Sequence, residues 1–171
     1  MKVLLFLVAL CVGLQGSRGG CPVAFQQYDE SCYKVFVETA TWIDAKKYCQ
    51  IFGGDLVKIE TQEEETTLEQ VLNDVHANRT AKIENYWVDG SDVLTEGEWR
   101  WVGTPGYSQL IAGGYSNWED GQPDNYGGSE NCIQIRYDFN MHWNDEDCDE
   151  KDSFICEAEY SDGMLTGQII G

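Results

Sequence analysis

Between Gln122 and Cys148 two groups of oxygen-bearing side chains stand out: Gln122, Asp124 and Glu130 before a short apolar run, Asn144 and Asp145 after it. Hard cations such as calcium take roughly six to eight oxygen ligands, drawn from carboxylates, amides and backbone carbonyls. A mixture of amides and carboxylates at this density suits that chemistry. Pro123 fixes its own backbone angle and pushes Gln122 towards an extended conformation, which aims the side chains on either side of it. A bridge between Cys132 and Cys148 would staple the two groups together. The competing reading is an acidic, glycine-containing surface loop that binds nothing.

Other chemistries find no constellation. His76 and His142 are the only histidines and lack the spacing of a metal pair. No serine or free cysteine has a base placed to activate it, so an enzyme is not expected. The formal charge of −19 makes nucleic acid and anionic membrane surfaces poor partners.

The elements that position the ligands follow from the rest of the chain. Residues 1–20 combine Lys2, an apolar run from Val3 to Leu14 and small residues after it, the pattern of a secretory signal peptide. That run is too short to span a membrane, and no other is long enough, so membrane insertion is not expected. The leader takes Lys2, Arg18 and Cys11 with it. The mature chain is then more acidic still and keeps six cysteines, Cys21, Cys32, Cys49, Cys132, Cys148 and Cys156. An even count in a secreted chain points to three bridges among fifteen pairings. A mature length of about 150 residues suits one domain with a real core.

Phe25, Tyr28, Tyr33 and Phe36 around the turn-like Asp29-Glu30-Ser31 read as a hairpin closed by Cys21 and Cys32. Trp42, Ala45, Cys49 and Phe52 fall at helical spacing, and Gly53-Gly54 ends the run, so an amphipathic helix buries a cysteine. Residues 55–59 alternate like a strand. Thr61 and Glu64 then form a capping box ahead of Leu68, Val71, Leu72 and Val75, a second helix whose Glu63, Glu64 and Glu65 read as a solvated start near the positive end of the helix dipole. Asn78-Arg79-Thr80 is a glycosylation acceptor in a region that reads as loop. Strand signals recur at Tyr86-Trp87-Val88, 99–102, Ile133-Gln134-Ile135 and Phe154-Ile155-Cys156. About thirty residues between Val102 and Cys132 show little periodicity, and a connection of that length is usually functional. Residues 158–171 read as a loosely held tail.

At Trp87-Val88-Asp89-Gly90, Glu96-Gly97-Glu98-Trp99 and Trp143-Asn144-Asp145, with six cysteines in this order, the chain resembles the C-type lectin domain over residues 21–157. The resemblance implies an α+β fold: two helices, two small antiparallel sheets, a long calcium-binding loop region and three disulfides. It implies the pairings Cys21–Cys32, Cys49–Cys156 and Cys132–Cys148. The last would close about sixteen residues, worth about 3 kcal/mol on the loop-entropy model.

By the same resemblance Gln122, Asp124, Glu130, Asn144 and Asp145 hold the principal calcium and, through it, two neighbouring sugar hydroxyls. Each hydroxyl gives a lone pair to the ion, donates its proton to a carboxylate and accepts from an amide, so amides and acids are needed in fixed order. In this family Glu-Pro-Asn accompanies mannose-like sugars and Gln-Pro-Asp galactose-like ones. Here the triplet is Gln122-Pro123-Asp124, with Tyr126 placed to stack on the sugar's apolar face. An auxiliary calcium site would draw on Asp92, Glu96 and Glu130 and on the positions of Asn125 and Asn131, where better-equipped members carry aspartates, so that site is expected to be weak. The implied function is a secreted, extracellular, calcium-dependent lectin for galactose or N-acetylgalactosamine, with innate recognition of microbial surfaces as a setting. Useful avidity would require a non-covalent homo-oligomer. The alternative is an acidic, calcium- or mineral-associated structural member of the family.

Overall fold

The structure is a computed structural model that describes residues 19–77, 85–103, 109–111 and 113–162. Residues 1–18 of the leader sequence, Asn78 and residues 163–171 of the tail lie outside the described residues.

The chain starts with a hairpin. Strands β1 (Gln26–Tyr28) and β2 (Ser31–Ala40) turn tightly at Asp29, whose positive φ of 50° suits a two-residue connection. Thr41 then caps helix α1 (Trp42–Ile51), its side-chain oxygen accepting from the Asp44 N–H. The helix stops where Gly53 takes a left-handed φ of 89°. Trp42, Ala45 and Cys49 are buried as their spacing predicts. Phe52 is the exception: it caps the helix end, stays 40% exposed and leans on Phe36 with ring centroids 5.2 Å apart.

The predicted strand at 55–59 shortens to β3 (Asp55–Leu56), although Val57 continues the pairing through its N–H to the Ile155 carbonyl and its own carbonyl to the Asp89 N–H. Helix α2 (Gln62–Ala77) begins with the capping box: Thr61 Oγ1 accepts from the Glu64 N–H at 3.1 Å, and Glu64 Oε2 accepts from the Thr61 N–H at 3.1 Å. Strands β4 (Asn85–Ser91), β5 (Arg100–Trp101), β6 (109–110), β7 (Glu130–Arg136), β8 (His142–Asp147) and β9 (Asp152–Glu159) complete the fold.

Two antiparallel ladders result. One runs β1-β2-β9 with β3 also on β9, and the other runs β6-β5-β4-β7-β8. A short parallel pairing of β4 with β9, at Tyr86 with Ser153 and Trp87 with Phe154, joins them into one mixed sheet. The three disulfides are Cys21–Cys32, Cys49–Cys156 and Cys132–Cys148. The second ties α1 to β9, and a bridge between Gly20 and Ser161 brings the two ends of the domain together. Strand β9 thus runs past the expected boundary at residue 157.

Two contacts bury charged side chains, and the first corrects the reading of Glu63, Glu64 and Glu65 as a solvated helix start. Glu65, read as part of the solvated helix start, is 1% exposed, and its Oε2 accepts the Trp143 indole N–H at 3.0 Å. It is the fourth residue of α2 and falls on the same face as Leu68 and Leu72, so the helical period carries it inward. Asp89 is fully buried on β4 and meets Lys46 Nζ, which also bonds Asp55 at 2.7 Å. Next to it, Gly90 is fixed by contact, because a Cβ there would lie 2.1 Å from Ile133 Cδ1.

Each contact gives a prediction. Burial pushes the Glu65 carboxyl from 4.5 up to about 7, so the folded state holds a proton that the unfolded chain has lost between those values. Stability from this group is therefore present at low pH and lost as pH rises through the folded value. Glu65→Gln keeps an acceptor for Trp143 and removes the buried charge. Chemical denaturation should show it stabilised by about 2 kcal/mol near pH 8, a gain that vanishes near pH 5. Lys46→Met leaves Asp89 as an uncompensated buried charge and should cost about 3 kcal/mol near neutral pH. The cost should shrink in acid, where Asp89 takes up a proton.

Candidate functional site

The predicted ligands sit on three pieces of backbone. Glu130 opens β7, Asn144 and Asp145 lie in the middle of β8, and Gln122 and Asp124 belong to the long loop that arrives from β6. Strands β7 and β8 pair antiparallel with Ile133 opposite Asp145 and Gln134 opposite Asn144. The register slips between Glu130 and Cys132, and a bulge of this kind bends the strand and re-aims the side chain at its end. The Cys132–Cys148 bridge holds the two strand ends together just beyond that slip.

The long loop is stitched to the edge of β8. Trp118 pairs with Trp143 in a parallel bridge, the Trp143 N–H donates to the Asn117 carbonyl at 2.8 Å, and the Glu119 N–H donates to the Trp143 carbonyl at 3.0 Å. The Gln122 N–H returns to the Glu119 carbonyl at 2.9 Å, and the peptide that follows, Gln122–Pro123, is cis. Beyond it, Asn125 adopts a left-handed φ of 45°, and Gly127 and Gly128 follow with φ of 75° and 80°, angles glycine takes without steric cost. The chain therefore reverses within a few residues and delivers Glu130 back towards Asp124.

The side chains converge. Ligand oxygens of Asp124, Glu130 and Asp145 all lie within 4.8 Å of one another. Asp145 is fully buried, and its two oxygens accept N–H groups from Asp124 at 3.1 Å and Asn125 at 2.8 Å. Glu130 Oε2 accepts from the Tyr126 N–H at 2.7 Å, while the Glu130 N–H donates to Asn125 Oδ1 at 3.1 Å. An Asn144 amide atom, assigned as Nδ2, meets the Asp145 carbonyl oxygen at 2.5 Å. Gln122 Oε1 is buried and finds no hydrogen-bond partner among the described residues.

The electrostatics follow from this crowding. Loss of solvent contact, helped by the charges of Asp145, Glu146 and Asp124, pushes the Glu130 carboxyl up to about 7. A divalent cation among these oxygens would remove the repulsion, and the unsatisfied Gln122 oxygen supplies a neutral ligand of the hard type. The residues present therefore fit calcium. Tyr126 stands at the rim, 79% exposed.

The second set of residues is less convergent. Asp92 is buried, one of its oxygens accepts from the Gly97 N–H at 2.7 Å, and the other has no hydrogen-bond partner among the described residues. Burial, with Glu96 and Asp145 nearby, raises its pKa. The Asn131 amide is turned to the Ser129 carbonyl, and the Asn125 oxygen is used by Glu130, so both asparagines serve the loop. Among the described residues, Asp124, Glu130 and Asp145 are the one group whose carboxylates converge.

Several supporting residues have no signal in the sequence. Gln134 is fully buried and donates to Glu146 Oε2 at 3.0 Å beneath the β7–β8 pair. His142 Nδ1 lies 2.7 Å from Glu119 Oε2, a second tie between loop and strand. Glu65 reaches Trp143 from a helix 78 residues away in the chain.

Comparison with known proteins places this geometry. The Lectin C-type domain family matches residues 38–158. Perlucin from Haliotis laevigata is 36% identical over 141 residues, covering 82% of this chain and 84% of perlucin. Asialoglycoprotein receptor 1 from Rattus norvegicus is 31% identical over 144 residues, covering 81% of this chain and 45% of the receptor. Among solved structures, the mouse scavenger receptor C-type lectin carbohydrate-recognition domain superposes with a TM-score of 0.68 at 32% identity, over 82% of this chain and 98% of that one. By sequence and by fold, this chain belongs to the C-type lectin domain family.

Proposed function

We propose that the protein is a secreted, calcium-dependent lectin that prefers galactose or N-acetylgalactosamine. The observation that carries this reading is the convergence of the carboxylates of Asp124, Glu130 and Asp145, with Gln122, two residues before Asp124, keeping a buried oxygen that has no hydrogen-bond partner among the described residues. In this reading Gln122, Asp124, Glu130, Asn144 and Asp145 hold the principal calcium. Bound there, the ion polarises and orients two adjacent sugar hydroxyls.

The remaining work falls to the side chains. Carboxylates accept the hydroxyl protons and the amides of Gln122 and Asn144 donate to hydroxyl oxygens, so the order of amide and acid sets which pair of hydroxyls fits. Tyr126, exposed beside the loop turn, offers an aromatic face to the apolar side of a pyranose ring. Membership of a family with carbohydrate-recognition domains supports a sugar ligand, and one relative is by its name a receptor for glycoproteins. No helix among the described residues is long and apolar enough to cross a membrane. In the auxiliary position, Asp92 and Glu96 lack acidic partners at Asn125 and Asn131, so a second calcium binds weakly there.

Calorimetry on the processed protein tests this. Galactose should bind with a Kd of about a millimolar in calcium and not in excess chelator, and calcium alone should titrate one tight site. Gln122→Glu combined with Asp124→Asn should transfer the preference to mannose. If calcium binds and neither sugar does, the domain keeps its metal for structure or mineral contact and the lectin reading fails. Tyr126→Ala should weaken galactose by about threefold to tenfold and leave calcium affinity unchanged.

A further inference from the structure

The outer edge of β2 is largely open. β1 covers only Ser31, Cys32 and Tyr33, and among the described residues no strand pairs with residues 34–40 on the side away from β9. This open stretch borders a groove of about 450 Å³ lined by Val35, Phe36, Val37, Tyr48, Phe52 and Phe154. Lys34, Glu38 and Thr39 also line it, and its aromatic rim is open to solvent: Tyr48 is 49% exposed and Phe52 40%. Phe36 lies at its floor, stacked on Phe154 at 4.7 Å.

The sequence of the open edge is Lys34-Val35-Phe36-Val37-Glu38. Directly opposed residues in an antiparallel pair share a face, so two copies of one strand related by a two-fold axis must be centred on a residue. Centring on Val35 would require Tyr33, which β1 already pairs. Centring on Val37 would set the Glu38 charge against a Phe36 ring. Centring on Phe36 opposes Lys34 to Glu38 of the second copy twice, Val35 to Val37 twice, and Phe36 to itself. Lys34 and Phe36 do share a face, since Lys34 Nζ lies 4.7 Å from the Phe36 ring centroid.

We propose that the protein forms a two-fold homodimer through antiparallel pairing of these β2 edges, with Phe36 on the axis. β2 itself shifts register against β9 between Phe36 and Ala40, and charged residues and an irregular register on an edge strand commonly keep other chains away. Here the two charges are of opposite sign and spaced to neutralise each other only across the two-fold. The dimer joins two copies of the domain into one sheet and covers the apolar groove with its own symmetry mate. It also supplies the second site that weak single-site binding needs for avidity. The edge pairs in this way whichever ligand the loop takes.

Sedimentation equilibrium of the processed protein tests it. The wild type should sediment as a dimer. Glu38→Lys and Lys34→Glu each oppose like charges across the axis, and each should weaken the dimer at least about tenfold. The double variant Lys34→Glu with Glu38→Lys restores opposite charges at every pair and should restore the dimer. Glu38 is exposed and Lys34 half-buried, and unchanged calcium binding by the variants checks that they fold. A monomeric wild type overturns the proposal. So does a dimer indifferent to the single reversals, or a double variant no more dimeric than the singles.

Discussion

The structure depends on holding three carboxylates together before any ion arrives, and the side chain that makes this tolerable is Trp143. Its ring is fully buried, in edge contact with Trp101 and Trp118 at 5.7 Å and with Tyr115 at 6.0 Å. Aromatic contacts of this kind contribute area burial and a further ~0.5–1.5 kcal/mol each. Its indole N–H is satisfied by Glu65, so the residue next to two ligands cannot shift without stranding a buried donor and acceptor. Its backbone N–H and carbonyl anchor the loop at Asn117 and Glu119. Repulsion among Asp124, Glu130 and Asp145 is thus borne by a strand and a loop locked to a common aromatic core.

Division of labour between the two ladders explains where function sits. The β1-β2-β9 ladder, fastened by Cys21–Cys32 and Cys49–Cys156, closes the ends of the domain and carries no ligand. The other ladder carries all of the convergent site, yet its loops have little regular structure of their own. It borrows rigidity through the parallel contact of β4 with β9 and through Lys46, which reaches from α1 to Asp89 on β4. A loop placed on such a scaffold can vary its ligands without altering the core.

Local signals in the sequence were sufficient for the elements that local chemistry determines. Thr61 and Glu64 announced the start of α2, Gly53 the end of α1, and the Gln-Pro-Asp and Trp-Asn-Asp triplets marked the loop and strand where oxygens converge. Beyond the disulfide pairings and the ligand set that the family resemblance implied, contacts between distant segments were not legible. A helical wheel puts Glu65 inward, but three consecutive glutamates at a helix start look solvated unless one knows that Trp143 waits opposite. Asp89 within an apolar strand looks like a surface interruption unless one knows that Lys46 lies against it. Phe52 continued the apolar spacing of α1 and yet ends at the surface, because the helix stops one residue earlier and turns the ring towards Phe36.

That last displacement bears on how one fold separates recognition from assembly. Phe52, Tyr48 and Ile51 emerge on the α1 side of β2, in the ladder that carries none of the converging ligands. Apolar exposure near the proposed sugar site would compete with the polar order on which the proposed discrimination of hydroxyls rests, since an apolar surface attracts without regard to stereochemistry. Placed on the other ladder, the same side chains leave the ligand loop free to be acidic and selective. The long open edge of β2 supplies what apolar contact lacks, a register. Backbone pairing sets the direction, Lys34 and Glu38 set the alignment, and the aromatic groove contributes the area. Specificity in both places rests on the same device, charged and polar groups whose order along the chain admits one partner geometry.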